Sequence, residues 1–252
     1  MPRSSRKQSR SGIYHVMMRG INRQTIFEDN EDRIVFLETL AKYRDVCDFK
    51  VFAYCLMDNH VHLLLKEPEG ERLSDFIKRI SSSYVYWYNQ KYDRIGHLFQ
   101  ERYKSESVES RRYFYTVLRY IHQNPVKAGL VEDVFGCEWT SVNEYIHRVY
   151  VIDTEYVLPL ISENRKQAVN RYIEFMKQPE ETECLDESVI VRVKDEQLIS
   201  YMKEQGIEIS KLQQMNKADR NAILAELKTL QGVSIRQLSR LTGISKSVIQ
   251  RA

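Results

Sequence analysis

Long apolar segments are absent from the sequence, in which no run approaches the roughly 20 consecutive apolar residues that a transmembrane helix requires. The first residues are basic and polar, and no apolar stretch follows them, so a secretory signal is not expected either. These two absences argue against a membrane partner and predict a cytoplasmic protein.

Cysteine is scarce as well, since the four residues are widely scattered and form no C-x-x-C pair. That distribution argues against a structural zinc site and against a disulfide framework. The sequence also lacks the G-x-x-x-x-G-K-[ST] motif that cradles phosphates, so we expect no nucleotide cofactor. What is present is a globular composition, 42% apolar and 29% charged over 252 residues, enough for one substantial core and a smaller second module.

Charge is distributed unevenly along the chain and predicts three segments. Residues 1–150 hold 23 Lys/Arg against 20 Asp/Glu, residues 151–187 hold 4 against 9, and residues 188–252 hold 11 against 6. We therefore predict a first domain at 1–150, a helical and acidic connector at 151–187 and a basic carboxy-terminal module at 188–252. The two basic segments favour a polyanionic partner.

The first eleven residues contain four basic side chains and no acidic one, namely Arg3, Arg6, Lys7 and Arg10. Such a composition is typical of a flexible arm that neutralises phosphates. It is equally typical of a solvated disordered tail, so this feature alone leaves both interpretations open.

Hydrophobic periodicity predicts an α+β fold for the first domain. Extended runs rich in apolar and aromatic residues predict strands at 12–20, 49–57, 61–66 and 103–108. Apolar positions spaced by three and four residues predict helices at 32–46, 71–90 and 111–123, and Asn124-Pro125 is expected to end the last of them. The order β-α-β-β-α-β with an added helix is the split βαβ, or ferredoxin-like, arrangement. The carboxy-terminal module shows only helical periodicity, so we predict that it is all-helical.

Two histidines, His60 and His62, stand two residues apart on a predicted strand. Alternate residues of a strand project from the same face, so both imidazoles can bind one metal ion. A coincidental pair on a strand surface is the alternative, and the spacing alone does not decide between them.

A second element strengthens the metal hypothesis. Tyr120 and Asn124 lie four residues apart in the predicted helix, which places a phenol and a carboxamide on one helical face. A tyrosine hydroxyl, with an ordinary pKa of about 10, needs a base or a cation to become a nucleophile, and a two-histidine metal site supplies the cation. Imidazole and carboxamide ligands are compatible with magnesium or manganese. Taken by itself, in a chain with sixteen tyrosines, Tyr120 is more often explained as a packed aromatic residue of the core.

The sequence resembles the single-tyrosine members of the histidine-hydrophobic-histidine (HUH) nuclease superfamily, and most of all the transposases associated with repetitive extragenic palindromes (REP). The matching motifs occur in order along the first domain: YHVMMRGINRQTIF at 14–27, MDNHVHLLL at 57–65, GHLFQERYKS at 96–105 and YIHQNPVKAGLV at 120–131. By this resemblance His60, His62 and Asn124 are expected as metal ligands and Tyr120 as the nucleophile.

The resemblance further implies an endonuclease and strand transferase that recognises a single-stranded DNA hairpin. Cleavage is expected to leave a covalent 5′-phosphotyrosine and a free 3′-hydroxyl that can be rejoined. Related transposases act as dimers that exchange the tyrosine helix, whereas the palindrome-associated type is expected to act as a monomer, so the sequence leaves monomer and homodimer open.

Four basic residues near these motifs are candidate phosphate contacts, although each could equally be solvated surface: Arg19, Arg23, Arg102 and Lys104. The remaining histidines have no partner at ligand spacing, and no role is predicted for them: His15, His97, His122 and His147.

The carboxy-terminal residues 234–252 resemble a helix-turn-helix, with a break at Thr242-Gly243 and Ser245 as the expected N-cap of the second helix. Lys246 and Arg251 would then face duplex DNA. A helical bundle used for dimerisation is the alternative.

Two other functions compete with the transposase hypothesis. One is a catalytically silent DNA-binding regulator that uses the carboxy-terminal module. The other is a metal-dependent phosphodiester hydrolase that activates water and forms no covalent intermediate.

Overall fold

The computed structural model describes residues 8–100, 102–179, 182, 184, 195–213, 215–230, 233 and 235–252. The first part of the chain contains four strands, β1 (Ile13–Arg19), β2 (Lys50–Met57), β3 (His60–Lys66) and β4 (Lys104–Ser107). Its helices are α1 (Asn30–Val46), α2 (Leu73–Lys91), α3 (Arg111–Lys127), α4 (Thr154–Ile161) and α5 (Arg165–Lys177). The later helices are α6 (Asp195–Glu204), α7 (Ile209–Leu212), α8 (Lys217–Thr229), α9 (Ile235–Thr242) and α10 (Lys246–Arg251). Within the described ranges, no helix combines the length and the apolar composition that a membrane span requires.

The four strands form one antiparallel sheet in the order β2-β3-β1-β4. The succession β1-α1-β2-β3-α2-β4, followed by α3, confirms the predicted α+β fold. Strand β1, with the sequence IYHVMMR, lies inside the sheet and is buried over its first six residues. The polar strand β4, with the sequence KSES, forms an edge, where one side of the strand stays unpaired.

The register of the central strands decides which residues share a face. Met17 of β1 pairs with His62 of β3, and His15 pairs with Leu64. Because directly paired residues project to the same side of a sheet, His15, His60 and His62 lie on one face. Helix α3 packs against β2 and β3 and meets this histidine face through Tyr120.

Helix α3 continues through Pro125 to Lys127, so the prediction that it ends at Asn124-Pro125 is wrong. Proline lacks an N–H group and removes one backbone hydrogen bond, but in the last helical turn the loss is limited. All residues from 121 to 125 are buried, and this packing offsets the lost bond. The Ala128 amide donates to the Asn124 carbonyl at 2.9 Å, so Asn124 lies inside the helix.

The chain divides into two compact units, Met1–Asp186 and Glu187–Ala252. The sequence predicts a connector from residue 151, yet α4 and α5 of that stretch belong to the core of the first unit, through Val157, Leu158, Ala168, Tyr172 and Met176. The charge shift near residue 150 therefore does not mark the boundary between the two units.

The second unit has a core of its own, formed by Leu198, Met202, Leu212, Leu224, Leu227, Leu238 and Ile249. It is helical, as the periodicity predicts. Gly243 separates α9 from α10 with a φ of 70°, a backbone conformation that glycine adopts without strain. Ser245 precedes α10 as predicted, but its side chain makes no capping hydrogen bond.

Gly20, which follows β1, lies too close to neighbouring atoms to accept a side chain. A Cβ atom there would collide with the Gln24 carbonyl oxygen and lie 2.8 Å from Cγ2 of Ile26. We therefore expect Gly20→Ala to lower the free energy of unfolding by about 1–3 kcal/mol, as overpacking does. Gly136→Ala, whose Cβ would meet nothing within 4 Å, is the matched control and should leave stability nearly unchanged.

The measurement is urea unfolding followed by tryptophan fluorescence. Both tryptophans, Trp87 and Trp139, belong to the first unit, so the signal reports that unit alone. Equal midpoints for the two glycine variants would contradict the steric argument.

Candidate active site

Strand β3 presents His60 and His62 on one face, and their ring centroids lie 5.0 Å apart. His60 is half-buried beside the hairpin turn, where its Nδ1 lies 2.6 Å from the Asn59 side-chain oxygen. His62 is completely buried. His60 is thus partly accessible to solvent, whereas His62 is enclosed in the protein interior.

A third histidine, for which the sequence analysis predicted no role, adjoins this pair. His15 of β1 is completely buried, and its Nε2 lies 3.0 Å from Nδ1 of His62. The contact joins residues 47 positions apart, so ligand spacing along the chain could not reveal it. The available signal was the alternation of β1, which places His15 on one strand face but does not identify the neighbouring strand.

Burial keeps the two inner histidines neutral. It lowers the pKa of His15 to about 3 and the pKa of His62 well below its ordinary value. The nearby side chains of His15, His60 and Arg19 lower the pKa of His62 further. A neutral imidazole retains a lone pair on one nitrogen, which is the form that binds a metal ion. In the described part of the structure, Nε2 of His62 is buried and makes no hydrogen bond.

Tyr120 of α3 lies against both inner histidines. Its ring centroid is 5.8 Å from that of His62 and 5.8 Å from that of His15, in edge-on arrangements. The side chain is 3% exposed. The structure thus brings together the predicted nucleophile and the predicted ligand His62, which come from separate segments of the chain.

Asn124 lies one helical turn after Tyr120. Its Nδ2 donates a hydrogen bond to the backbone carbonyl of Tyr120 at 3.0 Å, which ties the Asn124 side chain to the tyrosine. That bond uses the amide nitrogen and leaves Oδ1 as the atom suited to a cation. Two imidazole nitrogens and one amide oxygen are donors that manganese or magnesium accepts, with further positions open to water or substrate. Among the described residues, no three His, Cys, Asp or Glu side chains form a metal-binding cluster. The observation that fits a metal ion at this site is that Nε2 of His62 is buried and makes no hydrogen bond in the described structure.

Buried hydrogen bonds also hold α3 through His122 and Gln123. His122 Nε2 lies 2.8 Å from the Ser141 hydroxyl, and His122 Nδ1 lies 3.0 Å from the Tyr172 hydroxyl. Gln123 donates to the carbonyls of Met176 and Gln178. His122 thus points away from Tyr120, as the helical spacing predicts, and positions the helix.

Lys127 is a neighbour of Tyr120 that the sequence analysis missed. Its ammonium nitrogen lies 4.8 Å from the centroid of the Tyr120 ring. Residues seven apart in a helix share a face, so the signal existed, but the predicted helix end at Asn124 concealed it. A cation at this position stabilises negative charge that develops on the phenol oxygen.

Two of the predicted phosphate contacts come together at one cavity. Arg19 and Arg102 line a cavity of about 300 Å³, together with Lys78, Phe99 and Tyr103. Arg19 pairs with His60 across the strands, but the cavity is also lined by Met18 and by Lys78 and Ser81 of α2, and neither His60 nor His62 is among its lining residues.

The other predicted DNA contacts are more dispersed. Arg23 is exposed beside the hairpin turn, where its carbonyl accepts from Asn59, and Lys104 is exposed on β4 opposite Met17. Arg10 is exposed near Glu109. Arg3, Arg6 and Lys7 lie outside the described residues.

The carboxy-terminal candidates Lys246 and Arg251 both belong to α10 and are exposed. Arg251 donates from its Nε to the Ser247 carbonyl at 3.0 Å. Helix α10 has six residues, so the second helix of the predicted helix-turn-helix is short.

Comparison with known proteins finds similarity to one family over part of the chain. Residues 8–124 match the family model described as "Transposase IS200 like". The matched segment begins before β1, ends at Asn124, and contains all the predicted catalytic and metal-ligating residues.

Two similar proteins agree with that match. A REP-associated tyrosine transposase of Haemophilus influenzae is 28% identical over 119 residues, covering 41% of this chain and 66% of the relative. The chain thus spans about two thirds of the length of that relative. A solved structure of a REP-associated tyrosine transposase bound to a REP hairpin superposes with a TM-score of 0.51 at 18% identity, covering 61% of this chain and 93% of the other. At this identity the superposition shows a shared fold.

Proposed function

Because residues 8–124 match the family model of IS200-like transposases, we propose that the protein nicks and rejoins single-stranded DNA, with Tyr120 as the nucleophile. The observation that carries the proposal is the buried contact between Tyr120 and His62, which assembles the nucleophile and an orphaned ligand nitrogen from α3 and β3. A buried phenol beside imidazole rings is also an ordinary way to fill a core. The orphaned nitrogen favours a functional site, because buried polar atoms are nearly always hydrogen-bonded.

The reaction conserves the phosphodiester bond energy. The Tyr120 oxygen bonds to phosphorus while the bond from phosphorus to the 3′-oxygen breaks, and the phenol loses its proton to solvent as the 3′-oxygen gains one. The products are a 5′-phosphotyrosine and a free 3′-hydroxyl. Attack by a 3′-hydroxyl on the phosphotyrosine reverses the step, so rejoining needs no nucleotide cofactor.

His60, His62 and Asn124 would hold a divalent ion, Mg²⁺ or Mn²⁺. When bound, such an ion would act as a Lewis acid on the phosphate and orient it. The chain's own contribution is positional: β3 fixes the two imidazoles, and the buried hydrogen bonds of His122 and Gln123 hold α3 so that Tyr120 faces them.

We propose that the cavity lined by Arg19 and Arg102 receives the DNA strand. Its guanidinium groups suit phosphates, and Phe99 and Tyr103 offer aromatic faces on which bases stack. A hairpin is the proposed form of the substrate, because the similar solved protein is bound to a REP hairpin.

If Arg102 contacts a phosphate, Arg102→Ala should weaken binding of a DNA hairpin and lower its salt dependence. On the counterion-release relation, the slope of log affinity against log salt should fall by about 0.7 for each lost contact to a single strand. Fluorescence anisotropy with a labelled hairpin at several salt concentrations measures both quantities. Arg148→Ala removes another exposed arginine and is the control. Identical slopes for the two variants would remove Arg102 from the binding surface.

The decisive experiment incubates the full chain with a 5′- or 3′-labelled hairpin oligonucleotide and a divalent metal, followed by a denaturing gel. We expect a protein–DNA adduct that survives denaturation and is absent when the metal is chelated. Cleavage without an adduct would instead identify a hydrolase. Sequence-specific binding without cleavage would identify a DNA-binding regulator, in which the exposed Lys246 and Arg251 of α10 become the leading contacts with duplex DNA.

A further inference from the structure

His15 is completely buried, contacts a proposed metal ligand, and has no part in the mechanism described so far. Its Nε2 lies 3.0 Å from Nδ1 of His62, and its ring also lies edge-on to Tyr120 at 5.8 Å. Nothing in the motif H-x-H assigns a task to a histidine on the neighbouring strand. The geometry nevertheless restricts what that histidine can do.

The hydrogen bond between the two neutral rings has two possible directions. If His15 donates from Nε2, His62 carries its proton on Nε2, and that nitrogen has no lone pair for a metal. If His62 donates from Nδ1, its Nε2 retains the lone pair, and His15 accepts through Nε2 while its own proton sits on Nδ1. Only the second direction is compatible with metal binding by Nε2 of His62.

We infer that His15 is a positioning residue that accepts a hydrogen bond from Nδ1 of His62 and thereby holds the tautomer and ring orientation that metal binding requires. The inference rests on the proposed function, because it presupposes a metal at His62. A histidine that binds a metal through one ring nitrogen commonly donates a hydrogen bond from the N–H of the other, usually to a carboxylate, a carbonyl or water. Here the acceptor is a second imidazole supplied by β1.

The inferred arrangement places a proton on Nδ1 of His15, which faces the neighbouring strand β4. Nδ1 of His15 is buried without a hydrogen bond in the described part of the structure, and so is Oε2 of Glu106. His15 and Glu106 are direct partners in the register between β1 and β4, so their side chains project to the same face. The two atoms make no hydrogen bond to each other in the structure, so the inference rests on the contact between His15 and His62 alone.

Two variants separate positioning from packing. His15→Leu fills the space but removes the acceptor, and we expect its Mn²⁺ affinity to fall by about tenfold to a hundredfold, the range found for outer-shell partners of metal ligands. His15→Gln places an amide oxygen near the position of Nε2, and we expect it to restore most of that affinity. Calorimetric titration of the full chain with Mn²⁺ alone, without DNA, gives this readout independently of activity.

Nitrogen-15 spectra of the histidine side chains in the metal-free wild-type chain test the tautomer directly. We expect His62 to be protonated on Nδ1 and unprotonated on Nε2, and this result does not depend on whether a variant folds. A proton on Nε2 of His62, or wild-type Mn²⁺ affinity in a folded His15→Leu variant, would overturn the inference. His62→Ala distinguishes this failure from a wider one: if its Mn²⁺ binding equals that of the wild type, the metal site of the proposed function is wrong as well.

Discussion

Replacing Tyr120 by phenylalanine is expected to abolish the covalent protein–DNA adduct and to lower strand cleavage by at least about 10⁴-fold, because the substitution removes the attacking oxygen. The ring and its edge-on packing against His15 and His62 are retained, so folding should be almost unaffected. Hairpin binding should also persist, since phosphate contacts elsewhere are intact. The measurement is the denaturing gel with a labelled hairpin, together with anisotropy for binding.

The matched control for this change is Tyr150→Phe. Tyr150 is 54% exposed, so its hydroxyl should be dispensable. If Tyr120→Phe still forms the adduct at the wild-type rate, another nucleophile must be at work. Sixteen tyrosines are present in the chain, and peptide mapping of the adduct would identify the one used.

The second large effect is expected for His62→Ala. We expect Mn²⁺ affinity to fall by more than about 100-fold, beyond the range for outer-shell residues, because a ligand nitrogen itself is lost. Cleavage should fall by roughly 10³-fold, which corresponds to the several kcal/mol that a Lewis acid contributes to a transition state. Titration with Mn²⁺ and a cleavage assay over a range of metal concentrations measure the two effects separately.

Removal of a fully buried ring also leaves a cavity, so stability has to be monitored by tryptophan fluorescence. His147→Ala replaces an exposed histidine and serves as the control for both assays. Unchanged Mn²⁺ affinity in folded His62→Ala would remove His62 from the metal site, whatever the cleavage rate.

Local periodicity was sufficient to predict the elements of the sheet. The hairpin that carries His60 and His62 is encoded by two extended runs around Asp58-Asn59, and the Leu73–Lys91 helix by regularly spaced apolar residues. Both signals depend on residues close together in the chain. The strand order β2-β3-β1-β4 depends on pairings between distant segments, and only the general arrangement of a split βαβ unit indicated it.

Members of the candidate site whose spacing within a sequence motif indicates their role were predicted. Members that only the fold brings together were missed. His15 reaches His62 through the pairing of β1 with β3, which no spacing along the chain encodes. Lys127 was missed for a different reason. The sequence prediction assumed that the helix ends at proline, as helices usually do. In the structure, the packing of residues 121–125 lets α3 continue for one more turn, so that the Lys127 ammonium group lies over the Tyr120 ring.

The buried anchors of α3 also bear on when, during synthesis, the proposed activity could first appear. His122 and Gln123 are held by Tyr172, Met176 and Gln178, which are made about fifty residues later. A ribosome-bound chain that ends just before Tyr172 already contains His60, His62, Tyr120 and Ser141, but it lacks three of the buried hydrogen bonds that hold the tyrosine helix. Incomplete chains should therefore leave DNA intact, and the capacity to cut should appear only after the first unit has been fully translated.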